Sequence, residues 1–406
     1  MKILLGGSVL REEWTGGEPW SARAIARGLT ELGHEVVILE GAHDRVSLAA
    51  LAASPFDWDF VRASAYERQI RAVAPDAVLG FYDYDSSLCR AATLAGRPFV
   101  SAVHIYWPLC PIGTLYIDGS GLCSGPALTK CLHHMSLGVP NPRLPMNLNS
   151  LPPPFGLQAY AKLRGRRRIQ NESQSIVVLS KRMAELMRSA GYDRVTVVPS
   201  GIDLREFQLQ PWPESGSKII FLPSTSQSER KGTRHFQRIA QRIRERRSDA
   251  RFVATNFQER DPNVEGTGFL SRVDLVAEYA KSYCVVAPVL WDEPFGLVAV
   301  EAMATGRPVV TYDAGAMPEL IEDGVTGLIV PRGDVDAMQA AVERLLDDEP
   351  LARRLGAAGR RRAEERFSLP MMVRGYLTVL EDAVATARAA VRPDTTIRTA
   401  PRISAD

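Results

Sequence analysis

Trp291-Asp292-Glu293-Pro294-Phe295-Gly296-Leu297-Val298-Ala299-Val300-Glu301-Ala302-Met303-Ala304-Thr305-Gly306-Arg307-Pro308-Val309-Val310 is the stretch whose pattern decides the fold. Ahead of it, Tyr283-Cys284-Val285-Val286-Ala287-Pro288-Val289-Leu290 is an apolar run of the kind that forms a buried parallel strand. Residues 307–311 read as the next strand. Between the two, Pro294 suits a first helical turn, helix formers continue to Ala304, and Gly306 suits a left-handed stop. The unit is strand, loop, short helix, strand. Glu293 stands at the mouth of the helix, and Glu301 lies within it, leaning back toward the N-terminal end as helical side chains do.

A helix end presents free backbone N–H groups and partial positive charge, which attract an anion such as a diphosphate. Carboxylates cannot usefully contact phosphate oxygens, but they accept hydrogen bonds from sugar and ribose hydroxyls. One anion site flanked by two hydroxyl acceptors suits a nucleotide diphosphate sugar. The bland alternative is an acidic residue favoured by the helix dipole plus an exposed glutamate in mid-helix.

Glu293-Pro294-Phe295-Gly296-Leu297 followed by Glu301-Ala302-Met303-Ala304 resembles the E-x7-E signature of the retaining GT-B glycosyltransferases of family 4, group 1. Gly315-Ala316-Met317-Pro318-Glu319-Leu320-Ile321 and Gly324-Val325-Thr326-Gly327-Leu328-Ile329-Val330 continue the resemblance. It implies an α/β GT-B fold, two doubly wound Rossmann-like domains facing one cleft. It also implies transfer of a sugar from a UDP- or GDP-sugar to a saccharide, lipid-linked or small-molecule acceptor, with retention and without a catalytic metal. Glu293 would hold the sugar hydroxyls and Glu301 the ribose. The amides of Phe295, Gly296, Leu297 and Val298 would face the donor, and the pair Gly16-Gly17 would approach its phosphates. In the polar loop 224–232, Lys231-Gly232 matches the family's phosphate-binding lysine. The family's arginine, five residues earlier, is replaced by Ser226, so Arg230 becomes the candidate to stand in for it. His104, after the strand at residues 99–103, sits where ligands of open α/β sheets bind, and the family places a histidine there near the sugar and acceptor.

At 406 residues, with 45% hydrophobic and 24% charged residues, the chain has the make-up of a globular protein of two or three domains. A formal net charge of +2 offers nothing global for nucleic acid. Arginine clusters such as Arg164, Arg166, Arg167 and Arg168 read as solvated helix faces, with an anionic membrane surface as the sharper alternative. No apolar run approaches a membrane span, and the expectation is a cytoplasmic protein with peripheral contact on the inner membrane face as its variant.

Taken in order, residues 1–207 form the acceptor-side domain. It opens with a strand at 2–5, a helix at 19–32 and a strand at 35–39, without dinucleotide G-x-G-x-x-G spacing. A helix at 60–74 and a strand at 77–81 follow. Asp83-Tyr84-Asp85 is set aside as a turn rather than a metal site. Within the loop 105–155, which reads as lacking regular structure, Cys110, Cys123, Cys131 and His134 have the spacing C-x12-C-x7-C-x2-H. That set suits a structural zinc, with an iron–sulfur cluster or three buried thiols as alternatives. A basic helix at 157–170, a strand at 175–179 and a helix capped by Ser180 come next. Residues 208–217 are a linker, 218–370 the nucleotide-sugar domain, 371–391 a helix crossing back to the first domain, and 392–406 a tail. Two rivals remain: a glycoside hydrolase using Glu293 and Glu301 as its acid–base pair, and a non-catalytic nucleotide-sugar-binding protein.

Overall fold

Apolar runs become buried strands where the sequence placed them, at Ala77–Phe81, Phe99–Val103 and Lys218–Leu222. The computed structural model describes residues 1–7, 17–39, 58–81, 87–111, 113–131, 170–213, 218–224, 228–257 and 261–391, with positions 163, 167 and 216. Asp83-Tyr84-Asp85, the Pro/Asn-rich stretch 140–155, most of the helix expected at 157–170 and the tail 392–406 lie outside these residues.

The first sheet comprises β1 (Lys2–Gly6), β2 (Glu35–Ile38), β3 (Ala77–Phe81), β4 (Phe99–Val103), β7 (Ser175–Val178) and β8 (Val195–Val197), in the order β2-β1-β3-β4-β7-β8. Its helices are α1 (Gly17–Glu31), α2 (Trp58–Val73), α3 (Ser87–Leu94) and α4 (Lys181–Ser189). Ser180 caps α4, its hydroxyl accepting from the Met183 amide at 3.2 Å. The second sheet comprises β9 (Lys218–Leu222), β10 (Ala250–Ala254), β11 (Val264–Gly266), β12 (Cys284–Ala287), β13 (Val309–Tyr312) and β14 (Gly327–Val330), in the order β11-β10-β9-β12-β13-β14. Around it lie α5 (Thr233–Arg244), α6 (Arg272–Lys281), α7 (Leu297–Ala304), α8 (Met317–Leu320), α9 (Val335–Asp347) and α10 (Glu349–Arg366). Every described pairing within these two sheets is parallel, and helices cross between strands, as in doubly wound α/β units.

Two expectations are corrected. The helix of the opening stretch starts at Leu297, not at Pro294, because Gly296 takes the N-cap with φ 107°, a left-handed conformation that favours glycine. The stretch after residue 105 is not devoid of regular structure: β5 (Tyr116–Ile117) and β6 (Gly121–Leu122) make an antiparallel hairpin.

The last helix, α11 (Leu369–Val391), returns to the first domain. Met372, Val373, Tyr376, Leu380 and Val384 join Ile3, Leu5, Ala22, Ile25 and Leu29 in one apolar cluster. No helix among the described residues is long and apolar enough to cross a membrane.

Candidate active site

The strand order of the second sheet reverses between β9 and β12, and ligands of open α/β sheets bind outside the carboxyl ends of such a strand pair. The loop after β9 ends in a 3₁₀ turn, Glu229–Lys231, and the loop after β12 carries residues 288–296. The Leu290 amide donates to the Arg230 carbonyl at 2.8 Å, sewing the two loops together. Lys231 Nζ donates to Glu293 Oε2 at 2.6 Å, and Trp291 Nε1 donates to the same oxygen at 2.7 Å. The Trp291 ring lies near both cations, 5.1 Å from Lys231 Nζ and 5.3 Å from the Arg230 guanidinium carbon. Glu293 is thus fixed by a cation and an indole, both charge-assisted contacts in a mostly buried setting.

Gly315 holds this loop from the next turn of chain. At φ +58° a Cβ there would lie 2.2 Å from the Glu293 nitrogen, so no larger residue fits without moving that backbone. The Ala316 amide then donates to the Glu293 carbonyl at 2.9 Å.

Glu301 is buried on α7 with partners of its own. The Tyr279 hydroxyl donates to Oε2 at 2.9 Å, and Arg272 Nη1 lies 3.6 Å from Oε1. Burial pushes the Glu301 carboxyl up to about 7, against the pull of Arg272 and Tyr279. No side chain caps the N-terminus of α7, where Leu297 and Val298 are half-buried. Phe295 is buried and packs edge-on against Phe367 at 5.8 Å, so only its backbone is free to serve a ligand.

Residues 15–206 match the family described as Glycosyltransferase Family 4, and residues 256–362 match Glycosyl transferases group 1. The chain belongs to the group 1, family 4 glycosyltransferases. This glycosyltransferase is 29% identical over 409 aligned residues to MMP alpha-(1->4)-mannosyltransferase of Mycolicibacterium hassiacum, covering 91% of this chain and 95% of that one. It is 33% identical over 181 residues to phosphatidyl-myo-inositol mannosyltransferase of Mycolicibacterium smegmatis, covering 41% and 46%. In fold it resembles sucrose-phosphate synthase from Thermosynechococcus elongatus, with a TM-score of 0.65 at 16% identity over 95% and 99% of the two chains. It also resembles Anabaena Alr3699/HepE, solved in complex with UDP-glucose, with a TM-score of 0.62 at 16% identity over 96% and 100%. The fold is therefore GT-B, with two Rossmann-like domains.

The first domain of the glycosyltransferase brings Tyr106 and the β5–β6 hairpin to this site, whereas the contacts of His104 are to Phe81 and Tyr376. His104 follows β4, and its Nε2 is 2.9 Å from the hydroxyl of Tyr376 on α11. Burial lowers its pKa to about 4, so the imidazole is neutral at ordinary pH. Tyr106, also buried, sets its ring edge-on to Trp291 at 6.3 Å. Its hydroxyl has no hydrogen-bond partner among the described residues, and burial, then Asp292 and Glu293, raises its pKa. The hairpin docks on the loop after β9: Glu229 accepts from the Gly119 amide at 3.0 and 3.1 Å and from the Tyr116 hydroxyl at 3.3 Å.

Sequence reasoning missed Asp292. Its buried carboxylate accepts from Arg182 of α4 at 3.0 and 3.2 Å and from Arg332 at 2.8 Å, bridging the domains. Glu319 does the same beside it, accepting from the Lys181 and Arg182 amides at 2.8 Å each and so capping α4 from the other domain. Both acids stand inside motifs already singled out, but their partners on α4 lie more than a hundred positions away.

Gly16 lies outside the described residues, as does Ser226, and Gly17 opens α1. The proposed metal set reaches beyond the described residues. Among the described residues no group of three or more His, Cys, Asp or Glu could hold a metal ion, and His134 is outside them. Cys110 is buried in the apolar core, and the Cys123 thiol donates to the Gly125 carbonyl at 3.5 Å. Burial raises the Cys131 pKa, and Cys123 adds to the rise.

Proposed function

We propose that this glycosyltransferase moves a hexosyl group, mannosyl first among the candidates, from a nucleotide diphosphate sugar to a saccharide acceptor with retention. The observation that carries the reading is the Lys231–Glu293–Trp291 constellation at the sheet's switch point, beside the open end of α7. A diphosphate brought to Lys231 competes with Glu293 for the ammonium, and the Glu293 carboxylate, still held by Trp291, then turns to the sugar hydroxyls. As the anomeric carbon–oxygen bond breaks, the leaving diphosphate gains charge, which Lys231, Arg230 and the amides of Leu297 and Val298 stabilise. The acceptor oxygen forms the new bond, and its proton passes to the diphosphate. Glu301 takes the ribose hydroxyls, while His104 and Tyr106 line the side from which the acceptor enters. Mannosyltransferase relatives support the sugar.

The paired carboxylates also suit a hydrolase, but one of them is held by Lys231 and Trp291 and the other by Tyr279 and Arg272, each with partners of its own. The test is release of nucleoside diphosphate from GDP-mannose and UDP-glucose with and without saccharide acceptors, with NMR of the product's anomeric configuration. Acceptor-dependent release with an α-linked product supports the proposal. Absence of turnover with tight nucleotide binding would instead favour a binding protein.

A further inference from the structure

Arg272, the first residue of α6, is held in a slot built by both domains. Its guanidinium carbon lies 4.6 Å from the ring of Trp20 on α1 and 4.8 Å from that of Phe207. Its Nε donates to Glu206 Oε2 at 2.7 Å, and its Nη1 is 3.6 Å from Glu301 Oε1. Its Nη2, buried, has no hydrogen-bond partner among the described residues. A guanidinium sandwiched between two rings loses little further freedom in making directed contacts. Nothing in the E-x7-E signature calls for it.

We infer that Arg272 is a positioning residue for nucleotide binding, holding the buried Glu301 carboxylate charged and oriented so that it accepts hydroxyl hydrogen bonds. The inference rests on the reading of Glu301 as the ribose acceptor. A buried carboxylate with no cation beside it takes up a proton, and a carboxylic acid accepts hydroxyl donors poorly. The groups acting on Glu301 are Arg272 and Tyr279 of α6 and Glu206 of the segment before the linker. Tyr279 is held far above its ordinary range by burial and stays a neutral donor. Arg272 is therefore the one cation among them, and Glu206 opposes it. Because Trp20 forms one wall of the slot, the first domain contributes to nucleotide binding through Arg272.

The test is calorimetric titration of the full chain with UDP and with GDP between pH 6 and pH 9, comparing variants at each pH so that the ligand's own phosphate titration cancels. Arg272→Ala should weaken binding by on the order of tenfold at pH 7 and recover toward wild type at pH 9. Arg272→Lys should restore most of the loss, and Glu206→Gln should move the pH midpoint the opposite way. A loss in Arg272→Ala that is equal at every pH overturns the inference, leaving only a structural contact. Should that variant fail to fold, an unmoved midpoint in Glu206→Gln overturns it equally. Glu301→Gln separates the two levels: if it leaves affinity and pH dependence unchanged, the ribose reading itself fails.

Discussion

Lys231 Nζ and Glu293 Oε2 are 2.6 Å apart, although the residues belong to different loops separated by five elements of the second domain. A cation and a carboxylate proposed to hold different parts of one donor molecule are here each other's partner. Lys231→Ala should slow transfer by on the order of 100-fold, as loss of one charge-stabilising donor does. Glu293→Gln should keep the Trp291 contact and lower turnover more than nucleotide affinity. The double variant should lose little more than the worse single one, since the residues act as a unit. Initial rates of nucleoside diphosphate release decide it, and additive losses would show that the two act independently.

Gly315→Ala should disable the same loop from a distance. Its φ and the nearby Glu293 backbone leave no place for a methyl group, so about 1–3 kcal/mol of stability and most turnover should be lost. Chemical denaturation alongside the rate assay measures both, and a fully active variant would mean that Glu293's backbone position is not critical.

Domain closure should depend on Asp292 and Glu319. Asp292→Ala removes the shared partner of Arg182 and Arg332; with the Arg182 side chain 41% exposed, a loss of about 1–2 kcal/mol is expected rather than the full cost of breaking a buried pair. Glu319→Ala uncaps α4 and should cost about 1 kcal/mol. Scattering that shows an unchanged radius of gyration in the double variant would deny these contacts a role in holding the cleft.

The pH dependence of stability should show two opposing contributions. His104 has a folded pKa of about 4 against 6.5 in the unfolded chain, so the unfolded state takes the proton first and stability is lost as pH falls from 6.5 toward 4. Glu301 has a folded pKa of about 7 against 4.5, so the folded state takes the proton first and stability is gained as pH falls from 7 toward 4.5. Each amounts to about 3 kcal/mol at most. His104→Gln should therefore become relatively more stable on acidification to pH 5, and Glu301→Gln relatively less. Urea midpoints at pH 5 and pH 7 test both signs.

What could be read in the sequence was what local pattern carries. Strands buried on both faces announce themselves as apolar runs, and Ser180 and the E-x7-E spacing are likewise local. Pro294 misled because a proline suits a first helical turn, yet Trp291 and Glu293 need their loop extended until Gly296. Tyr376 on His104, Arg182 on Asp292 and Tyr116 on Glu229 were illegible for another reason: each joins residues far apart in the chain, and such pairings exist only once the domains meet. The cysteine set is cut by the edge of the described residues at His134, and ligand-like spacing alone does not say whether thiols face one another or the core.

Helix α11 gives this chain an unusual order of assembly. The first sheet is made of residues that leave the ribosome early, yet the side chains that cover Ile3, Leu5, Ile25 and Leu29 belong to residues 372–384. Until they arrive, the nascent first domain carries an open apolar face, the sort of surface that draws chaperones or neighbouring chains. Gly28, whose missing side chain admits Val373, shows how close the late helix must come. Cutting at the linker would therefore not yield two domains. The amino-terminal piece would lack its lid, and the carboxyl-terminal piece would carry that lid unused.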